Sequence, residues 1–393
     1  MHLVFVSSLL PVKNPASGFD IANRVTVDAL REQGIKVSLL GYKSPGVAIA
    51  EADGTAVLGE QEITTSKVPA ATKLRWLMTA IANRTTFSSA KMLACGRPAL
   101  LDGLKSLKPF DGLVLNSVQL PGAFIDDFKN YPSIFVAHNV EAQSAAENAR
   151  HGANAFERLL FRREARLLAR LEGALCRQSK FLWTLSEDDR MALAGADKSK
   201  SAVLPLVTSM TPPDPLPRDR TVKYDFGLIG SWSWRPNRIG LEWFLTEIVP
   251  KLPRDTSIAI AGDLSGTPAH DAHPGLQFLG RVPDAGEFLR SCAVVPLAST
   301  AGTGVQLKTI ETFESGIPCV ATTVAVRGID KVPSNCTVAD DPKAFADALV
   351  FRLRTTKTED GAAMDGRQFH TSQKSMLSAA IGMGVNVVLQ KSL

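Results

Sequence analysis

The stretch Cys292-Ala-Val-Val-Pro-Leu-Ala-Ser-Thr-Ala-Gly-Thr-Gly-Val-Gln-Leu-Lys-Thr-Ile-Glu-Thr-Phe-Glu-Ser-Gly316 joins an apolar run, a loop of small residues and a segment of helical period. Residues 292–297 have the length and composition of a buried strand, and residues 305–315 those of a short helix. A helix that opens straight from such a loop presents backbone N–H groups with no partner inside the helix. With glycines there, a diphosphate can approach those groups along the favourable end of the helix dipole. Gly302, Thr303, Gly304 and Val305 are therefore candidate anion-binding positions. Lys308 can add charge at the phosphates, and Glu311 can accept hydrogen bonds from ribose hydroxyls. The loop lacks both the Gly-Lys-Ser/Thr ending of a P-loop and the third glycine of a dinucleotide fingerprint, which argues against kinase and dehydrogenase readings.

Outward from this unit, short apolar runs alternate with helical segments along the whole chain. Residues 3–10, 36–42, 112–117, 133–139 and 181–186 read as strands in the first half, with a helix over 19–33 closed by Gly34. Residues 224–231, 257–262, 275–280, 292–297, 319–322 and 336–339 read as strands in the second, with a helix over 237–251. Continuous apolar strands separated by helices imply parallel sheets with both faces covered. Between the halves lies Met210-Thr-Pro-Pro-Asp-Pro-Leu-Pro-Arg-Asp-Arg220, whose prolines disallow helix and central strand alike. The expected organisation is two Rossmann-like, doubly wound α/β domains, residues 1–210 and 221–371, joined by a linker over 211–220. Residues 372–393 form a terminal helix that can cross back onto the first domain.

The 393 residues fit two domains at about 150 residues each. With 45% hydrophobic and 21% charged residues the chain is globular rather than disordered. Its five cysteines contain no C-x-x-C pair, which argues against a zinc site or a disulfide framework and for a reducing compartment. No apolar run approaches the ~18–20 residues of a membrane span. The opening run lacks a signal peptide's basic flank, so a cytoplasmic protein is expected. The net charge of +5 is too small to imply nucleic acid. It is concentrated between Arg150 and Lys180, where eight basic residues face three acidic ones. Arg158, Arg162, Arg166 and Arg170 recur at i, i+4 on one helix face. That face suits the anionic inner surface of the cytoplasmic membrane, and equally a solvated surface helix.

Several of these segments together resemble the donor domain of glycosyltransferase family 4. They are Gly230-Ser-Trp-Ser-Trp-Arg-Pro-Asn237 through Trp243-Phe244 and Pro250, then Gly280-Arg-Val-Pro-Asp284, Gly302 through Glu311, and Gly316-Ile-Pro-Cys-Val320. The likeness is close over residues 224–347. It is looser over the first half, resting on Ser17-Gly18, Ala137-His-Asn-Val-Glu141 and Leu185-Ser-Glu-Asp-Asp189. It implies a GT-B fold, two domains facing a central cleft, and a metal-independent, retaining transfer from a UDP- or GDP-linked sugar, with no other cofactor. By the same likeness the Gly302–Gly304 backbone meets the diphosphate, Glu311 the ribose, and Gly280, Arg281 and Val282 the base. The acceptor is then a saccharide or lipid-linked saccharide of a bacterial envelope pathway. Relatives often carry Glu-x7-Glu on this helix; here Glu311 fills the second place and Thr303 the first.

Position at strand ends nominates the remaining candidates, since open α/β sheets bind ligands there. Ser231 and Arg235 follow the strand over 224–231, and a guanidinium there offers paired donors to a leaving diphosphate. The alternative is an exposed loop arginine. His138 follows the strand over 133–137 and can position hydroxyls near the anomeric centre, with Glu141 orienting it or capping the next helix. Gly18, after the first strand, either admits a ligand or begins a helix. Ser186 with Asp188 and Asp189 reads as a helix cap, and Trp232 and Trp234 as packing residues. His270 and His273 lack a third ligand for a metal. A GT-B epimerase or hydrolase, and a non-catalytic nucleotide-sugar-binding protein, remain alternatives to a transferase.

Overall fold

Leu3, Val4, Phe5 and Val6 have no exposed surface, and neither do Leu113, Val114, Leu115, Ile134 and Phe135. In the computed structural model these runs are the central strands of a sheet covered on both faces. The structure describes residues 1–15, 17–150, 152, 154–195, 198–214, 216–217, 220–264, 273–355 and 362–389. The chain divides into two compact units, one of Met1–Pro205 with Met376–Leu393 and one of Leu206–Ser375.

The first unit carries β1 (His2–Leu9), β2 (Lys36–Lys43), β3 (Thr55–Glu60), β4 (Gly112–Asn116), β5 (Ser133–Ala137), β6 (Phe181–Thr184) and β7 (Ser201–Val203). They pair in the order β3-β2-β1-β4-β5-β6-β7, every ladder parallel. The second unit carries β8 (Tyr224–Ser231), β9 (Ile258–Asp263), β10 (Leu276–Gly280), β11 (Cys292–Leu297), β12 (Cys319–Ala321) and β13 (Cys336–Val338). Their order is β10-β9-β8-β11-β12-β13, again parallel throughout. Both sheets are thus doubly wound, and each reverses direction once: between β1 and β4 in the first, between β8 and β11 in the second. At such a switch point the loops leaving two adjacent strands diverge, and the crevice between them is where ligands bind.

The sequence reading and the structure part company at edges and helix starts. The edge strands β3 and β7 have no counterpart among the apolar runs; β3 alternates exposure and burial, with Val57 48% exposed. The helix after β8 begins at Arg235, because Pro236 occupies its first turn, where a missing N–H costs nothing. It is α-helical only to Trp243, widens to a π turn over Phe244–Ile248 and ends on a 3-10 turn at Val249–Lys251, which contains Pro250. The helix after β11 begins at Leu307, two residues late, because Gln306 is extended at φ −94° and ψ 102°. The terminal helix spans Ala362–Leu389. Its Leu377, Ile381 and Val385 are buried in the first unit, where Trp183 Nε1 donates to the Ala380 carbonyl at 3.0 Å.

Candidate functional site

In the second unit, the two loops that flank the switch point meet through glycines. A Cβ on Gly240 would lie 2.3 Å from the Ala298 carbonyl oxygen, so only glycine lets the Arg235–Trp243 helix rest on the start of the glycine loop. Gly302 takes φ +110°, beside Pro236. At Gly304 a Cβ would meet nothing within 4 Å, so the backbone there is open to approach. Thr303 is buried, and the Leu307–Glu314 helix has no side-chain cap at Gln306. Its first N–H groups therefore point out of the loop unpaired by a capping side chain.

Lys308 lies in the first turn of that helix. Its Nζ stands 6.0 Å from the centre of the Trp232 ring, beside a cavity of about 10 Å³ also lined by Asn237 and Thr312. Burial pushes its pKa down to about 8. Trp232 is itself fixed by its indole N–H, which donates to the Ala261 carbonyl at 2.8 Å. Around the same loop the hydroxyls Ser299 Oγ, Thr300 Oγ1 and Thr309 Oγ1 are buried without a hydrogen-bond partner among the described residues. Buried hydroxyls left so cost roughly 1–3 kcal/mol each. Arg235 and Ser231 are both exposed, and the Ser231 carbonyl accepts from Asn237 Nδ2 at 3.2 Å.

Glu311 lies one turn beyond Lys308, leaning over the Ala285–Arg290 helix; a Cβ on Gly286 would sit 3.6 Å from its Oε1. Burial raises its pKa, the Asp284 carboxylate raises it further, and Arg290 opposes both. Asp284 caps the Ala285–Arg290 helix, accepting from Glu287 N at 2.6 Å. The preceding residues Gly280, Arg281 and Val282 are thereby carried to the same strand ends. Gly280 takes φ +69° with open space around it, and Arg281 is exposed, 3.4 Å from Asp263. Arg235, Lys308, Glu311 and the 280–282 and 302–305 segments therefore gather at the carboxyl ends of β8, β10 and β11.

In the first unit, His138 Nε2 lies 2.8 Å from Asn116 Oδ1. Asn116 Nδ2 donates to Ser7 Oγ at 3.1 Å and to Asn23 Oδ1 at 2.8 Å. With Oδ1 as acceptor, the imidazole carries its proton on Nε2 and presents Nδ1 as a lone pair. Burial pushes the His138 pKa down to about 4, which keeps the ring neutral at physiological pH. Phe19 stacks on it at 5.3 Å, and Gly18 precedes Phe19 as the first residue of the Gly18–Glu32 helix behind the Ser17–Asp20 capping box. Gly18 thus begins a helix, and that helix start adjoins His138.

Sequence reasoning missed the supports of this cluster. Asn116 ends an apolar strand as His138 follows one, a signal that could have been read; Asn23 gives no such sign. Glu172, from the long Ala155–Gln178 helix, was equally hidden. Its carboxylate accepts from Glu141 N at 2.6 Å and Ala142 N at 3.2 Å, capping the Glu141–Arg150 helix directly after His138. Burial raises its pKa to about 7. Glu141 is therefore the capped residue, held in place by a carboxylate 31 positions away. In the second unit Glu314, also raised to about 7 by burial, accepts from Thr208 N and Oγ1. Ser186 caps its helix, accepting from Asp189 N. His273 Nε2 lies 2.9 Å from the Pro253 carbonyl, while His270 lies outside the described residues. Among the described residues no group of three or more His, Cys, Asp or Glu is arranged to hold a metal ion, and no helix is long and apolar enough to cross a membrane.

Residues 223–354 match the family of group 1 glycosyl transferases. The second domain is a group 1 glycosyltransferase domain. No curated protein sequence matches the chain. Solved structures match the chain along nearly its whole length. Sucrose-phosphate synthase from Thermosynechococcus elongatus is 14% identical with a TM-score of 0.61, covering 98% of this chain and 96% of that one. HepE of Anabaena in complex with UDP-glucose is 13% identical with a TM-score of 0.60, covering 98% and 99%. WaaG, a glycosyltransferase involved in lipopolysaccharide biosynthesis, is 13% identical with a TM-score of 0.59, covering 99% and 100%. The fold is accordingly GT-B, two Rossmann-like domains on parallel sheets.

Proposed function

We propose that the chain transfers a sugar from a nucleoside diphosphate to a hydroxyl acceptor, with retention and without a metal. The observation that carries this reading is the uncapped helix start behind Gly302 and Gly304, with Lys308 in its first turn, at the switch point of a glycosyltransferase domain. The diphosphate would lie against the 302–305 backbone, its charge offset by Lys308, Arg235 and the helix dipole. The hydroxyls of Ser299, Thr300 and Thr309 are donors of the kind phosphate oxygens accept. Glu311 would take the ribose hydroxyls and Gly280–Val282 the base. The complex of HepE with UDP-glucose favours a uridine nucleotide.

The acceptor hydroxyl would attack the anomeric carbon from the face that the diphosphate leaves. The bond from that carbon to the β-phosphate oxygen breaks, its electron pair stays on the diphosphate, and the acceptor proton passes to that same oxygen. No protein nucleophile is needed. His138, neutral and offering Nδ1, would hold a donor or acceptor hydroxyl. The acceptor we favour is a saccharide or lipid-linked saccharide of a bacterial polysaccharide or glycolipid, with the protein at the inner face of the cytoplasmic membrane through Arg158, Arg162, Arg166 and Arg170. All four arginines are exposed.

Calorimetric screening of nucleotide-sugars against the purified protein, followed by assay of nucleotide release with and without saccharide acceptors, tests the reading. Binding of one donor and acceptor-dependent release are expected. Release without acceptor would instead identify a hydrolase or epimerase, and binding without turnover a nucleotide-sugar-binding protein.

A further inference from the structure

The first domain holds a second concavity, built from helices, of about 510 Å³. Leu93, Ile125, Leu167 and Leu171 line one part of it and Asn83, Thr85 and Thr86 another, and Arg84 and Arg170, both exposed, belong to the same lining. Arg84 takes φ +49°, a conformation that non-glycine residues rarely adopt, in the turn that joins the Ala70–Ala82 and Phe87–Met92 helices. Arg163 fixes that turn to the long Ala155–Gln178 helix, Nη2 donating to the Ala80 carbonyl at 2.9 Å and to the Thr85 carbonyl at 3.2 Å. Within the described structure neither Arg84 nor Arg170 pairs with a carboxylate. The helix that runs into this rim exposes Leu74, Met78 and Ile81 by 59%, 61% and 50%. Their i, i+4, i+7 spacing makes one apolar ridge that ends at the cleft.

We propose that this cleft binds an anionic phospholipid, its phosphate between Arg84 and Arg170 and its first methylenes along Leu93, Ile125, Leu167 and Leu171. The paired charges select an anion. The four apolar side chains of the lining have no use for a free phosphate, and the ridge of Leu74, Met78 and Ile81 gives the acyl region of a bilayer a surface to cover. The site rests on the membrane contact proposed above and gives it a defined place, distinct from the general field of Arg158, Arg162 and Arg166.

The test uses the full chain with phosphatidylcholine vesicles, with and without phosphatidylglycerol, and calorimetric titration of a short-chain phosphatidylglycerol below its micelle concentration. Saturable binding of the short-chain lipid is expected, and loss of it in Arg84→Gln/Arg170→Gln at unchanged melting temperature. Vesicle partitioning should fall about fivefold for each of the two arginines. Arg158→Gln/Arg162→Gln should weaken vesicle binding while leaving the short-chain titration intact. No saturable lipid binding, or competition by inorganic phosphate as strong as by the lipid itself, overturns the cleft. If the cleft variants bind vesicles like the wild type while the stripe variant does not, the peripheral contact stands and the site falls.

Discussion

Lys308 concentrates the residue-scale argument, because it is a cation held largely out of water beside a tryptophan face, with no carboxylate paired to it among the described residues. A nearby diphosphate supplies the missing counter-charge, so Lys308→Ala and Arg235→Ala should each weaken nucleoside diphosphate binding by roughly 1.5–3 kcal/mol, measured by calorimetry. The lysine's pKa of about 8 sets a further expectation. The free protein carries the charge below pH 8 and loses it above, so nucleotide affinity should fall as pH rises through that value and stay level in Lys308→Arg. A wild-type affinity flat to pH 9.5 would detach Lys308 from the phosphates. Glu311 is tested separately: Glu311→Gln should lower kcat/KM with little change in melting temperature. Thr303→Ala should be milder, because the backbone N–H groups of 302–305 survive it. A Glu311→Gln enzyme with unchanged kcat/KM would make this glutamate a helix-surface residue.

At the scale of elements, glycines decide how the site is assembled, and two of them separate folding from binding. Gly240→Ala puts a Cβ against the Ala298 carbonyl and forces the Arg235–Trp243 helix off the glycine loop, at roughly 1–3 kcal/mol of stability and with weaker nucleotide binding. Gly304→Ala meets no protein atom and should melt like the wild type, yet bind nucleotide more weakly because the methyl occupies the approach to the backbone. Equal nucleotide affinity in Gly304→Ala would remove the diphosphate from this loop. The same scale explains what the sequence made legible. β1, β4, β5 and β11 are buried on both faces, so burial itself writes their apolar runs. β3 lies at a sheet edge, where exposure mixes its composition and hides it, and β7, at the other edge, is three residues long and too short to show a pattern. The loop around Gly302 was readable because the chemistry of phosphate approach is local. Glu172 was not, because a carboxylate in an arginine-rich helix looks like an ion-pair partner until the fold brings a helix start to it. The burial that shifts His138 and Lys308 is likewise a tertiary fact, invisible in residue spacing.

Over the whole molecule, buried titratable groups and a shared terminal helix set the stability. Glu172 and Glu314 hold protons to about pH 7 in the fold against about 4.5 when unfolded, so the native state binds more protons in that window and stability falls as pH rises through it. His138 acts below that range: protonated near 6.5 when unfolded but only near 4 when folded, it withdraws stability as pH drops from 6.5 to 4. Glu172→Gln should flatten part of the upper decline in melting temperature between pH 4.5 and 7, and an unaltered slope would mean that Glu172 ionises freely. The terminal helix carries the larger effect. Leu377, Ile381, Val385 and Val388 are almost fully buried in the first unit, and Gly384 lies under Trp183, where a Cβ would come within 2.6 Å of the ring. At roughly 1.5–3 kcal/mol for each large buried side chain, an upper estimate, the four together approach the ~5–15 kcal/mol that holds an entire domain folded. A chain ended after Ser375 should therefore lose the cooperative unfolding of the first unit while the unit of Leu206–Ser375, whose sheet it leaves untouched, keeps its own transition. Gly384→Val should lower the first transition by a smaller step, through overpacking against Trp183. Calorimetry with Trp183→Phe as the fluorescence control resolves the two transitions, and a truncated chain that melts like the full one would show that β6 is stable without its terminal cover.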